Sequence, residues 1–363
     1  MKNQRSEMSH ALNRREFLGT TLAATVAMTT STAATAIAQE PGGRPAPAAS
    51  GKPPLPFNPR TATAMPMRNL GKTGFRVGIF SLGCQAAIEK KNNEQQSVEI
   101  MNRAIDLGVN YFDTSHVYGE GASEEHVGLV MKDRRQEVFL ASKTAQRDYD
   151  GAMKDLDTSF KRMQTDHLDL WQLHNVQKMG EVERMFAPDG AIKAFQQAKA
   201  EGRTRFIGVT GHYEPKVLRE MIQRAELDCI LLAVNAADRH YLSFLEHLLP
   251  SALEKQMGII GMKVATRGRL LSTWKPEPLA EQPERMRTPK PGAITMPESL
   301  AYNFSLPVST NIVGVDNVEQ LEADVRCAAT FVPLNPAQMQ ALEQRTLLVV
   351  RQALYFRRWD LGA

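Results

Sequence analysis

From Met67 onward, short runs of apolar and β-branched residues alternate with longer amphipathic stretches. VGIFSLG (77–83) reads as a strand, and SVEIMNRAIDLG (97–108) as a helix that stops at Gly108. The pair then recurs. NYFDTS (110–115) leads to a helix from about Ser123, a good N-cap with Glu124 and Glu125 in the first turn. EVFLASK (137–143) leads to a helix near 151–163, and HLDLWQLH (167–174) to one near 190–201. TRFIGVTG (204–211) leads to a helix near 215–225, and CILLAVN (229–235) to one near 242–256. GIIGMKV (258–264) is followed by an irregular Pro-rich stretch and a helix near 297–305. TNIVGV (310–315) precedes a helix near 318–330, and a last helix spans about 337–352.

Strands this continuously apolar, joined by helices, are parallel and covered by those helices. Eight strand-then-helix units over roughly 300 residues predict an α/β fold, the closed (β/α)8 TIM barrel. An open doubly wound sheet would want a glycine-rich phosphate turn after its first strand. Here that turn is Gly83-Cys84-Gln85-Ala86, with no GxGxxG. Arg68 to Gly74 suits a short N-terminal hairpin that plugs the barrel floor, and the helix after the eighth unit is an extra C-terminal one.

The first 65 residues follow neither pattern. Asn13-Arg14-Arg15-Glu16-Phe17-Leu18 precedes an Ala/Thr-rich run, and Ala36-Ile37-Ala38 offers small residues for cleavage. Residues 1–38 resemble a twin-arginine (Tat) export signal, cut after Ala38, which implies the Tat machinery as a partner and a periplasmic location. The run has too little Leu and Ile for a membrane helix, so no stable membrane span is expected in the mature form. Residues 39–65 are dense in Pro, Gly and Ala and read as an extended tether. The barrel domain is then 66–363.

Composition narrows the function classes. The net charge of +4 is spread along the chain with no basic stripe, which argues against nucleic-acid binding. Cys84, Cys229 and Cys327 lie far apart, too few for a structural zinc site and an odd number for a disulfide framework. They are expected as reduced or buried thiols, and no ligand cluster calls for a metal.

In such a barrel, polar groups at the C-terminal strand ends build the active site. The second strand ends in Asp113, with Tyr118 five residues on; the third ends in Lys143, and the fourth in His174 beside Asn175. Singly, each has a bland reading: an Asx turn, a rim tyrosine, a solvated lysine, a core histidine. As a set they suit carbonyl reduction. FDTSHVYGEGASEEHVG (112–128), FLASK (139–143), LDLWQLHN (168–175) and DLGVNYFDT (106–114) resemble the aldo/keto reductase family over nearly all of the chain from Met67. The resemblance implies Asp113, Tyr118, Lys143 and His174 as the catalytic residues. Tyr118 would act as general acid or base, with a pKa lowered from about 10 by Lys143. Asp113 would hold Lys143, and His174 would orient the carbonyl oxygen. The substrate would be a small carbonyl compound or alcohol.

The resemblance also implies a nicotinamide nucleotide across the barrel mouth. Asn175, Thr210 and Asn235 are candidates near the nicotinamide; Lys263, Arg267, Gly268 and Arg269 suit the pyrophosphate; Gly314, Asp316 and Gln320 suit the adenosine end. Lys263 and Asn235, each at a strand end, are also extra polar groups that could shape a substrate pocket, and their plainer readings are a phosphate contact alone and a turn cap. His116, His212 and Cys84 are further possible pocket groups. Three departures from the family pattern stand out. Leu231 and Val234 occupy the places of a Gln and a stacking Tyr, Asp316 replaces a Ser near the 2′-phosphate, and Ala323-Asp324 replaces a Glu-Asn pair. NADP(H) is the family default, while the Asp316 carboxylate favours NAD(H). A non-catalytic nucleotide-binding or redox-sensing module is the alternative to an enzyme. Trp274 to Pro297, Lys178 to Pro188 and the tail Tyr355-Phe356-Arg357-Arg358-Trp359 are the expected specificity loops.

Overall fold

The structure is a computed structural model and describes residues 54–282, 284 and 287–359. The twin-arginine segment, the cleavage site after Ala38 and the first part of the 39–65 tether lie outside the described residues. A short helix α1 (Thr61–Ala64) precedes an antiparallel hairpin, β1 (Met67–Asn69) and β2 (Arg76–Gly78). The first four units then follow as β3 (Phe80–Gly83), α2 (Glu94–Asp106), β4 (Tyr111–Asp113), α3 (Ala122–Arg134), β5 (Phe139–Thr144), α4 (Tyr149–Met163), β6 (Leu168–Leu173), α5 (Met179–Phe186) and α6 (Ala191–Ala200). The next two are β7 (Thr204–Gly211), α7 (Pro215–Arg224), β8 (Cys229–Ala233), α8 (Phe244–His247) and α9 (Leu249–Glu254). The chain closes with β9 (Gly258–Met262), α10 (Met296–Ser305), β10 (Thr310–Val313), α11 (Val318–Ala329), α12 (Pro336–Thr346) and α13 (Val350–Ala353).

Strands β3 to β10 pair in parallel, and β10 returns to β3 to close an eight-stranded barrel. Every residue of β5, β6, β8 and β9 is buried, as strands with helices outside and packed side chains inside must be. The register carries Gly83 beside Asp113 and Lys143 beside Gln172, so the strand ends share one rim. The opposite end is the floor. There the hairpin's Phe75 packs at a tilt against Phe139, which stacks with Tyr111 and Phe206, each near the start of its strand.

Several expected boundaries change, each for a local reason. Val77 and Gly78 belong to the hairpin and not to the first barrel strand; the Gly78 N–H donates to Asn110 Oδ1 at 3.1 Å. Ser123 is not an N-cap. A turn over Tyr118–Gly121 starts α3 earlier, with Gly121 at its cap, and the Ser123 hydroxyl donates instead to the Cys84 carbonyl at 2.6 Å. The helix expected near 242–256 breaks at Leu248, just before Pro250 in the first turn of α9. The stretch from Lys178 to Pro188 contains helix α5, whose Glu181 carboxylate accepts from the Gln177 and Lys178 N–H groups. The helix expected over 337–352 breaks at Leu347–Val349.

The tether also ends earlier than residue 65. Asn58 is buried and donates to the Ile105 carbonyl at 2.8 Å, the Phe57 N–H donates to the Gln136 carbonyl, and the Pro54 carbonyl accepts from Arg205. Residues 54–65 therefore belong to the floor of the barrel. Among the described residues, no helix is long and apolar enough to cross a membrane.

Candidate active site

The segment after β4 makes a tight turn because two glycines permit it. Gly119, Glu120 and Gly121 all have positive φ, and a Cβ on Gly119 would lie 1.9 Å from the Glu89 carbonyl oxygen. That turn swings Tyr118 back over the barrel mouth. Its N–H donates to the Ser115 carbonyl at 3.0 Å.

Lys143, one residue from the end of β5, is buried and lies at the centre. Its ammonium donates to Asp113 Oδ1, to the Thr114 carbonyl at 2.6 Å and to the Tyr118 hydroxyl at 3.4 Å. Gln172, on the neighbouring strand, donates to the other Asp113 oxygen at 3.0 Å. His174 follows β6 directly and meets the Tyr118 ring edge-on at 5.6 Å. Its Nδ1 lies 3.0 Å from the Ser115 hydroxyl. All four residues singled out in the sequence therefore meet in one place.

The electrostatics differ from the sequence expectation in one respect. Desolvation works against a charged Lys143, but Asp113 and Tyr118 outweigh it and hold the ammonium above its ordinary value. For Tyr118 burial is the larger effect; it raises the phenol above its ordinary value although Lys143 pulls it down. Tyr118 is thus firmly protonated, the form in which it can donate. Burial, then the charges of Lys143, Arg147 and Lys263, hold His174 well below the usual imidazole range, so it is neutral near neutral pH.

A cleft of about 720 Å³ runs from Asp113 and Tyr118 to Asp316, Gln320 and Asp324. Of the nucleotide candidates, Lys263, Arg267, Gly268, Gly314, Asp316 and Gln320 line it. Burial, aided by Arg267 and Lys143, lowers Lys263 to about 8. Burial raises Asp324 to about 7. Gly83 and Gly314 face each other across the wall, where a Cβ on Gly83 would come within 3.3 Å of the Gly314 nitrogen.

Four candidates lie elsewhere. Asn235 caps its own turn, accepting from the Ala237 N–H at 2.9 Å and donating to the Lys263 carbonyl at 3.2 Å. Arg269 turns out of the cleft, donates to Thr288 at 3.2 Å and stacks over Trp274 and Tyr355. The Thr210 hydroxyl accepts from the Asn175 N–H at 2.7 Å, and the Asn175 side chain pairs with His212 Nδ1 at 2.9 Å. These two pairings brace the loops after β6 and β7 against each other. His116 points away from the cleft, to Asp155 at 3.3 Å.

Sequence reading missed Gln85, Glu89, Lys90 and Thr273 in the cleft, and Ser115 and Gln172 behind the tetrad, while Trp274, the first residue of an expected specificity loop, does line the cleft. The one signal was Gln172 itself, a polar residue inside an apolar strand. Cys84 lines the cleft beside Asp113; burial pushes its thiol far up, which makes it a poor nucleophile. The cysteines are unpaired, and no cluster of metal ligands occurs among the described residues.

The model of the aldo/keto reductase family matches residues 76–346. The chain belongs to the aldo/keto reductase family. It is 28% identical to the uncharacterised oxidoreductase YqkF of Bacillus subtilis, across 78% of this chain and 97% of that one. It is 27% identical to L-galactose dehydrogenase of Arabidopsis thaliana, across 79% and 95%. Its fold is similar to that of the aldo-keto reductase AKR11C1 from Bacillus halodurans (TM-score 0.63, 24% identity, 78% and 96% covered). It is also similar to an aldo-keto reductase from Klebsiella pneumoniae solved with NADPH (TM-score 0.61, 20% identity, 78% and 95% covered). The protein is thus an oxidoreductase of the aldo/keto reductase family.

Proposed function

We propose that this aldo/keto reductase interconverts a small carbonyl compound and its alcohol with NADP(H), using Tyr118 as general acid in reduction and general base in oxidation. The observation that carries the reading is the Lys143 ammonium, which joins Asp113 to the Tyr118 hydroxyl at the head of a nucleotide-sized cleft. The cleft suits a dinucleotide, because Lys263 and Arg267 in its lining offer cations to phosphate. A bound nicotinamide supplies or accepts the hydride.

The chain's residues do the rest. As charge develops on the carbonyl oxygen, the Tyr118 O–H donates its proton there. Lys143 then stabilises the phenolate left behind, and Asp113, held by Gln172, keeps that ammonium charged and in place. His174 offers a second donor to the same oxygen. NADP(H) is supported by the NADPH bound to the Klebsiella relative. NAD(H) is favoured by one observation, the Asp316 and Asp324 carboxylates in the far end of the cleft, which repel a 2′-phosphate. The Arg14-Arg15 segment further supports export by the Tat route to the periplasm. A reporter fused behind residues 1–38 is expected to be exported, and to stay inside with R14K/R15K.

The direct test titrates the protein with NADPH and NADH and then assays a panel of aldehydes and ketones. Tyr118→Phe is expected to keep nucleotide binding and lose turnover about 10³-fold. Tight binding with no turnover in either protein would favour a non-catalytic module, and no binding at all would refute the nucleotide cleft.

A further inference from the structure

Ser115 lies between Asp113 and Tyr118 and is buried. It touches both Tyr118 and His174. Its backbone carbonyl accepts the Tyr118 N–H at 3.0 Å, and its hydroxyl lies 3.0 Å from His174 Nδ1. The backbone of His174 is pinned separately, its N–H donating to the Thr144 carbonyl at 2.9 Å. Ring orientation and proton position therefore depend on what Nδ1 meets.

A neutral imidazole carries one N–H and one lone pair, and the partner of one nitrogen decides which is which. His174 is neutral here because burial and the surrounding cations Lys143, Arg147 and Lys263 disfavour its charged form. A serine hydroxyl can donate or accept, so two arrangements satisfy the 3.0 Å contact. In one, Nδ1–H donates to Ser115, and Nε2 presents a lone pair that repels a carbonyl oxygen. In the other, Ser115 donates to Nδ1, and Nε2–H is free to donate to the substrate.

We propose that Ser115 is a positioning residue whose hydroxyl donates to His174 Nδ1, fixing the Nε2–H tautomer, while its carbonyl keeps Tyr118 in register with the same ring. The role rests on the carbonyl-reduction reading above. One residue thereby sets the relative placement of the proton donor and the second oxygen ligand. Alanine at this position removes only the hydroxyl and leaves the carbonyl that holds Tyr118.

The test is the ¹⁵N spectrum of histidine-labelled protein, with His174 assigned by loss of its signals in His174→Gln. The wild type is expected to show His174 as the Nε2–H tautomer. Ser115→Ala is expected to show a tautomer mixture, with kcat down about three- to tenfold and nucleotide affinity and thermal midpoint little changed. Ser115→Thr, which keeps a hydroxyl, is expected to keep the single tautomer and most of the turnover. An Nδ1–H tautomer in the wild type would overturn the proposal without using turnover at all. So would Ser115→Ala with the tautomer and kcat of the wild type. A fixed Nε2–H tautomer in a protein that reduces no carbonyl compound would refute the reductase reading, and with it any role of Ser115 in catalysis.

Discussion

The two ends of the barrel each bury a carboxylate among cations, and they treat it differently. At the floor, Asp169 is fully enclosed: Arg205 donates to one oxygen at 2.7 Å, and Arg135 at 2.8 Å and the Leu140 N–H at 2.9 Å serve the other. At the mouth, Asp113 is equally buried, but its partner Lys143 reaches on to the Tyr118 hydroxyl at a long 3.4 Å. In the same cleft, Lys263 has no ion pair among the described residues. The floor has completed its electrostatics within the fold. The mouth has left cations with capacity to spare, and such groups with shifted proton affinities mark sites of chemistry.

Removing one cation from each end separates the two roles. Lys143→Met is expected to lower kcat about 10²–10⁴-fold, since Tyr118 loses the charge that stabilises its phenolate. Arg205→Met at the floor is expected to leave turnover per folded molecule unchanged. Its effect falls on stability, about 3 kcal/mol, because Asp169 keeps Arg135. Chemical denaturation and steady-state kinetics on the same preparations check both, and an inactive but stable Arg205→Met protein would erase the distinction.

Lys263 sharpens the contrast through pH. Its folded pKa, about 8, lies below the ordinary 10.5, so the folded state disfavours its ammonium. The penalty is full below pH 8 and fades as the pH rises from about 8 towards 10.5. Ligand-free Lys263→Met should therefore be more stable than the wild type at neutral pH, with the gap closing on the alkaline side in denaturant melts. The same variant should bind NADPH about tenfold more weakly.

The smallest effect is expected at Asp324, half ionised near pH 7. Raising the pH from about 6 to 8 should weaken NADPH relative to NADH by roughly two- to threefold, and Asp324→Asn should flatten that dependence. Fluorescence titration of both nucleotides across pH measures it.

The barrel was legible because its strands are apolar throughout and its helices are punctuated; the expected strand TRFIGVTG (204–211) coincides with β7. The meeting of Asp113, Tyr118, Lys143 and His174 was legible because each sits at a strand end or in the turn beyond one. What sequence could not show depends on partners far along the chain. Arg269 and Arg267 are two residues apart in a basic loop, yet one stacks on Trp274 and Tyr355 while the other lines the cleft. Strand position left Asn235 open between a mouth residue and a turn cap; its side chain accepts from the Ala237 N–H and donates to the Lys263 carbonyl, which is the cap. Likewise the Pro-rich composition before residue 65 hid Asn58, a single amide that docks the segment to two backbone carbonyls, of Ile105 and Val109.

That docking has a practical side. Pro54, Phe57 and Asn58 are fastened beneath the strands, at the end of the barrel away from Tyr118. A bead, electrode or fusion partner joined at residue 54 is therefore joined at the base, and the cleft faces the surrounding solution. Immobilised that way, the protein is oriented by its own chain, with its substrate entrance clear of the support.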